Sequence, residues 1–218
     1  MSEPPASRNS TLVPIRSLGA GHRHRIAAHL LALDPQDRYL RFGYAANDEQ
    51  IQRYVDHLDF VRDDIFGIFN RRLELIAMAH LAFIPHEPDT PAGAEFGVSV
   101  LHKARGRGYG TLLFERAVRH ARNEGAELMF IHALSENTAM IRIARHGGAT
   151  LERAGSETEA YLRLPPATLD SRVSAMLDEQ VAQADYRLKK QARNFLDLLA
   201  RVQEIRRGAS DARGKSGR

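Results

Sequence analysis

Cysteine and tryptophan are absent from this sequence, and aromatic residues make up only 7% of its 218 positions. Without cysteine there is no disulfide, no thiolate metal site and no thiol nucleophile. Chemistry must therefore come from histidine, carboxylates, hydroxyls or the backbone. Also missing is an apolar run of the roughly 18 residues that a bilayer crossing needs, and the opening MSEPPASRNS has neither the basic nor the apolar region of a secretion signal. A cytoplasmic protein with no membrane contact is expected. Ten histidines are present, but His22 and His24 point apart on a strand and no HExxH-like pair occurs, so no metal is expected.

A uniform excess of charge is lacking too. The formal net charge is +4, yet ten of the 31 basic residues and only three of the 27 acidic ones lie from Arg187 onward, leaving 21 basic against 24 acidic groups before it. The body of the chain thus has no electrostatic footprint for a phosphate backbone, and nucleic acid is not the expected partner.

What is present organises one domain. At 43% hydrophobic, a chain of this length buries one good core. Residues 1–10 read as a disordered N-terminus, 11–165 as the domain, 166–207 as a C-terminal amphipathic helix and 208–218 as a flexible basic tail. Thr11–Leu18 reads as a strand. Ile26, Leu30 and Leu33 mark a helix over Arg25–Leu33 that Asp34-Pro35 stops. A second helix starts at Asn47, with Gln50 completing a capping box.

Further on, Asp64–Asn70 and Leu73–Ile84 form a predicted hairpin. Ala94–Leu101 is a strand with Glu95, Gly97 and Ser99 on one face and Phe96, Val98 and Val100 on the other. Thr111–Asn123 is helical, Glu127–Leu134 a strand, Thr138–His146 a helix, and Ala149–Arg153 with Glu157–Leu164 a last β pair. Antiparallel strands followed by strand-helix-strand units predict an α/β (α+β) fold, a mixed, mostly antiparallel sheet flanked by helices. Beyond Pro165-Pro166, Val173 through Val202 keep three-to-four spacing, which predicts a long helix packed on the domain or on a second copy of the chain as a homodimer.

The stretch VSVLHKARGRGYGTLL places Gly106, Gly108 and Gly110 between an apolar strand and a helix. Glycine there loses order, so something must require the bare backbone. The amides of Gly106 to Thr111 can converge on an anion, with the partial positive charge of a helix N-terminus behind them. A phosphate or pyrophosphate suits that cradle. No GxxxxGK[ST] string exists, and a GxGxxG fingerprint fails because Thr111 stands where the third glycine belongs. Arg105, Gly106, Arg107, Gly108, Tyr109 and Gly110 instead fit R/QxxGxG/A.

With the VSV strand before it and LLFERAVRHAR after it, this segment resembles motif A of the GNAT superfamily of acyl-CoA-dependent N-acyltransferases. FIHALSENTAMIRIARHGGATLE is similar to the family's later strand-helix-strand piece. DRYLRFGYAANDEQIQRYVDHLDF and AEFGVSV look most like bacterial protein-lysine-acetyltransferase-type domains. The resemblance spans about Thr11 to Leu164.

It implies a GNAT-like sheet and an N-acetyltransferase that uses acetyl-CoA as co-substrate. Acetyl-CoA would lie in a splay between the Val98 and Phe130 strands, with pantetheine on the backbone of Val98 and Val100. The pyrophosphate would sit on Arg105, Gly106, Arg107, Gly108, Gly110 and Thr111. Asn137 would contact the cofactor or cap its helix. The acceptor would be a primary amine, on a small molecule or a protein lysine. An ammonium cannot attack until a base removes its proton; Glu95 is the candidate, His80 a second. One departure stands out: the position seven after Asn137, a Tyr in many relatives and their thiolate acid, is Ala144. Ser135, Tyr161 or water remain as donors, and an idle acyl-CoA-binding module of regulatory or assembly function is the alternative.

Overall fold

The computed structural model describes residues 13–85, 90–154, 157–167, 177–183 and 185–186. Strand β1 (Arg16–Leu18) leads into helices α1 (Arg23–Leu31), α2 (Pro35–Phe42) and α3 (Asp48–Asp56). Strands β2 (Asp64–Phe69), β3 (Leu75–Phe83) and β4 (Gly93–Val100) follow, then α4 (Tyr109–Asn123), β5 (Leu128–Leu134), α5 (Thr138–His146), β6 (Thr150–Ala154) and β7 (Glu157–Arg163). The strands form one sheet in the order β1-β2-β3-β4-β5-β7-β6. Every neighbouring pair is antiparallel except β4 with β5. The mixed sheet flanked by helices is therefore as expected from the sequence.

Two layers of helix cover this sheet. His29 of α1 reaches Ser99, and Tyr54 of α3 reaches His80; Ser99 and His80 share a face because Gly97, two residues from Ser99, pairs with His80. On the other face Phe96 meets Phe114 of α4 edge to face at 5.3 Å, and Gly110 and Gly147 bring α4 and α5 together through Ile143 and Phe114. Between the layers Ile26, Leu30, Ile51, Phe66, Leu81, Leu113 and Met129 are fully buried. Their burial, at ~25 cal/mol per Å² of apolar surface, is the main force holding the layers together.

Helix α2 is the main difference from expectation. Asp34-Pro35 does follow the end of α1, but it also opens a new helix. Asp34 Oδ1 accepts from the Asp37 N–H at 2.8 Å, Pro35 takes the first position and Gly43 closes the helix at φ 78°. Proline lacks an N–H that a first turn leaves unbonded anyway, so the residue that ends one helix begins the next. Helix α3 has the anticipated capping box, Asn47 with Gln50. Helix α4 starts at Tyr109, two residues before the expected Thr111. In the last β pair, β7 is the inner strand, paired to β5 on one side and β6 on the other.

Residues 177–183 and 185–186 are helical. Residues 1–10, 208–218 and most of the expected 166–207 helix lie outside the described residues. The described turns pack on their own domain. Ser17 Oγ donates to Glu179 Oε2 at 2.8 Å, Arg116 pairs with the same carboxylate at 3.2 Å, and Arg119 with Asp178 at 2.8 Å. The Arg16 guanidinium lies 3.6 Å from the Tyr186 ring centroid.

Candidate active site

Strands β4 and β5 pair over three residues only, Gly93 with Leu128, Ala94 with Met129 and Glu95 with Phe130, although they run on to Val100 and Leu134. Ile84 N–H donates to Gly93 O and Leu101 N–H to Ile76 O, so odd-numbered residues of β4 bond to β3; Ala92 O accepts from Leu128 N–H across the other edge. Strand alternation then turns the N–H and C=O of Val98 and Val100 into the widening gap. A cavity of about 780 Å³ opens there. Of Glu95 and the expected acetyl-CoA residues all but one line it: Glu95, Val98 and Val100 from β4, Arg105, Gly106, Gly108, Gly110 and Thr111 from the glycine segment, and Asn137. The exception is Arg107, which is exposed outside it.

Gly106 and Gly108 sit at φ 74° and 75°, in the left-handed region that costs an L-residue roughly 1–2 kcal/mol. A Cβ on either would meet nothing within 4 Å. Backbone conformation, not space, therefore demands glycine at both. The loop delivers the chain to Gly108 as the cap of α4, and the first helical bond runs from Leu112 N–H to Gly108 O at 3.0 Å. The N–H groups of Tyr109, Gly110 and Thr111 are thus left at the positive end of a 15-residue helix. Gly110 has a different reason: a Cβ would lie 2.9 Å from Ile143 Cδ1. The Arg105 side chain pairs with Asp37 of α2, tying the loop to that helix.

On the α1–α3 side, Arg41 of α2 lies over Gly97, where a Cβ would come within 2.8 Å of its Cζ and Nη2. Its Nη2 donates to Tyr54 Oη at 3.1 Å. Tyr54 Oη is 2.7 Å from His80 Nδ1, and His80 Nε2 is 3.0 Å from Asp63 Oδ2. A carboxylate only accepts, so His80 Nε2–H donates to Asp63 and Nδ1 accepts from the Tyr54 hydroxyl. Burial, reinforced by Arg41, lowers the His80 pKa and keeps the ring neutral; burial also raises that of Tyr54. His80, the second candidate base, is therefore locked between two partners and does not line the cavity. Glu95 is exposed and does line it.

Ser99, on the face of Glu95 and Gly97, borders the cavity, but its side chain is buried and engaged. His29 Nε2 lies 2.8 Å from Ser99 Oγ and its Nδ1 2.9 Å from Leu75 O. The ring is 2% exposed, and burial lowers its pKa to about 4.

Asn137 is a helix cap in this structure: Oδ1 accepts from Met140 N–H at 3.1 Å, and Nδ2 donates to Leu40 O of α2 at 3.4 Å. Ala144 is buried on the inner side of α5 and offers no proton. Ser135 Oγ is 3.0 Å from Thr158 Oγ1, whose residue lines the cavity. Among the described residues no three His, Asp or Glu side chains are grouped to hold a metal ion, and no helix is long and apolar enough to cross a membrane. Sequence reasoning missed Asp37, Arg41 and Tyr109 as cavity residues. The Asp34-Pro35 cap followed by Gly43 was the signal that would have found the first two.

The profile of the Acetyltransferase (GNAT) family matches residues 29–148. Curated protein sequences give no match. Among solved structures, the GNAT domain of S. lividans PAT superposes with a TM-score of 0.58 at 22% identity, covering 69% of this chain and 89% of that one. Spermidine N-acetyltransferase from Vibrio cholerae, in complex with CoA and spermine, gives 0.55 at 16%, covering 70% and 96%. An N-acetyltransferase from Staphylococcus aureus Mu50 gives 0.55 at 14%, covering 69% and 98%. At these identities the likeness is one of fold.

Proposed function

Because the chain belongs to the acetyltransferase (GNAT) family, we propose that it transfers acetyl from acetyl-CoA to a primary amine by direct attack in a ternary complex. The observation that carries this reading is the gap after the Glu95–Phe130 pair, into which the Val98 and Val100 amides turn and which runs on to the amides at 109–111. The residues fit an acyl-CoA thioester. The gap offers a pantetheine arm backbone groups to pair with, and the open space over Gly106 and Gly108 leaves a diphosphate room at the helix end.

Each step falls to a residue already placed. The amides of Gly108 to Thr111 hold the diphosphate, with Arg105 contributing backbone and Arg107 only its solvent-facing charge. Glu95 takes a proton from the acceptor ammonium, directly or through one water, so that the nitrogen gains a lone pair. Val98 N–H donates to the thioester carbonyl oxygen as negative charge builds there during attack. Once the C–N bond has formed the C–S bond breaks; the nitrogen sheds its second proton to water, and the thiolate is protonated from the same solvent, since Ala144 has no proton to give. Asn137 fixes the start of α5 beside the gap rather than touching the ligand.

A thiol-release assay tests this: with acetyl-CoA and a panel of amines, free CoA should appear only when both are present. Acetyl-CoA binding with no amine-dependent release from any class of amine would contradict it.

A further inference from the structure

Arg41 is an unspent cation in the wall of the cavity. Its Nη2 donates to the neutral Tyr54 hydroxyl, and among the described residues no carboxylate lies within 4 Å of its guanidinium. A guanidinium has five N–H donors in a rigid fork, and among the described residues most of those on Arg41 are left without a partner. Three devices hold it there. Gly97 removes the Cβ that would occupy its place. The Phe42 and Tyr54 rings lie 5.3 and 5.7 Å from its Cζ. The Asp63–His80–Tyr54 chain fixes the hydroxyl that orients Nη2. Three linked side chains serve to aim one charge that, among the described residues, no carboxylate pairs with directly.

Position says what the charge is for. Arg41 lies over Gly97, and Glu95 is two residues back on the same face of β4, roughly 6.6 Å along the strand. Both line the cavity. The face carrying them is the α1–α3 side, whereas the diphosphate cradle lies past the end of β4 at Gly108 to Thr111. A carboxylate that binds an ammonium and a fork that binds an anion thus stand next to each other where an acceptor would enter.

Resting on the acetyl-transfer reading above, we infer that Arg41 selects the acceptor: the fork binds a carboxylate that the acceptor carries beside its amine, so that the substrate class is amino-acid-like zwitterions rather than simple cationic amines. A bidentate guanidinium–carboxylate pair in a partly enclosed site supplies both attraction and orientation, and a polyamine would meet Arg41 as a like charge.

The test measures kcat/KM by CoA release for α-amino acids, each against its carboxamide and its decarboxylated amine. Wild type should favour the acid at least tenfold. Arg41→Gln should bring that ratio near one, mainly through KM for the acid, and Arg41→Lys should restore only part of it. Tyr54→Phe, which keeps the ring and frees the guanidinium, should lower the ratio severalfold. Calorimetry with acetyl-CoA on the same variants should match wild type, as should the melting curves of the two Arg41 variants, while Tyr54→Phe, which leaves His80 Nδ1 without its donor, should melt lower. The inference is overturned if wild type does not discriminate the acid from its amide, if the ratio survives Arg41→Gln and Tyr54→Phe, or if Arg41→Gln weakens acetyl-CoA as much as the acid. Amines acetylated without regard to a carboxylate sink this inference alone; absence of acetyl-CoA binding sinks the acetyl-transfer reading with it.

Discussion

Single side chains divide here into those whose chemistry reads from their type and those that need a partner. Glu95 reads directly: a strand carboxylate beside glycine and serine, exposed on the side where the proposed acceptor amine would lose its proton. Glu95→Gln keeps shape and hydrogen bonding while removing the base, and should lower kcat at least about 100-fold with acetyl-CoA affinity unchanged; an unaltered rate would remove Glu95 from the mechanism. His29 shows the opposite case. Its spacing marks only the buried face of a helix, and its role follows from Ser99 and Leu75, which are 70 and 46 residues away. With its pKa near 4 in the fold and about 6.5 unfolded, the unfolded chain takes a proton first as pH falls. The stability contributed by neutral His29 is present above pH 6.5 and is lost between 6.5 and 4, on the order of 3 kcal/mol. The melting temperature of wild type should therefore drop between pH 7 and 4.5, and His29→Gln should flatten that drop.

Elements were legible where the signal is local. The hairpin of β2 and β3, the capping box of α3 and the limits of α5 at Thr138 and His146 follow from periodicity and caps within a few residues. Helix α2 was hidden because its eight residues, PQDRYLRF, carry too few apolar positions for a face, and its proline punctuates in both directions. The glycine segment was legible as a bare-backbone turn into a helix, but not the division of labour inside it, in which Gly106 and Gly108 supply dihedrals and Gly110 a close approach. That division predicts different outcomes. Gly108→Ala should weaken acetyl-CoA binding tenfold or more, because it displaces the amides. Gly110→Ala should act through α5, lowering the melting temperature as Ile143 is pushed aside. Equal effects of both on ligand affinity would contradict the assignment.

For the molecule as a whole, the decisive feature is that two strands side by side in the sheet order stop pairing after Glu95 and Phe130. No single strand encodes this, since it arises where antiparallel β3–β4 meets a parallel neighbour, and it became visible to sequence reading only through the family's pattern. The described C-terminal turns pack on β1 and α4. Arg116 is 4% exposed with Glu179 as its carboxylate, so a chain ending before Leu177 would leave a buried cation unpaired. Such a truncation should melt at least about 5 °C lower, given about 2–4 °C per kcal/mol for this size; an unchanged midpoint would make the contact incidental.

The most direct measurement is a calorimetric titration with acetyl-CoA and, separately, with acetyl-pantetheine, which keeps the thioester arm and lacks the diphosphate. Gap and cradle acting together require one saturable site for acetyl-CoA, with the shorter thioester bound at least a hundredfold more weakly. No saturable heat at millimolar acetyl-CoA, or equal affinity for the two, would contradict it.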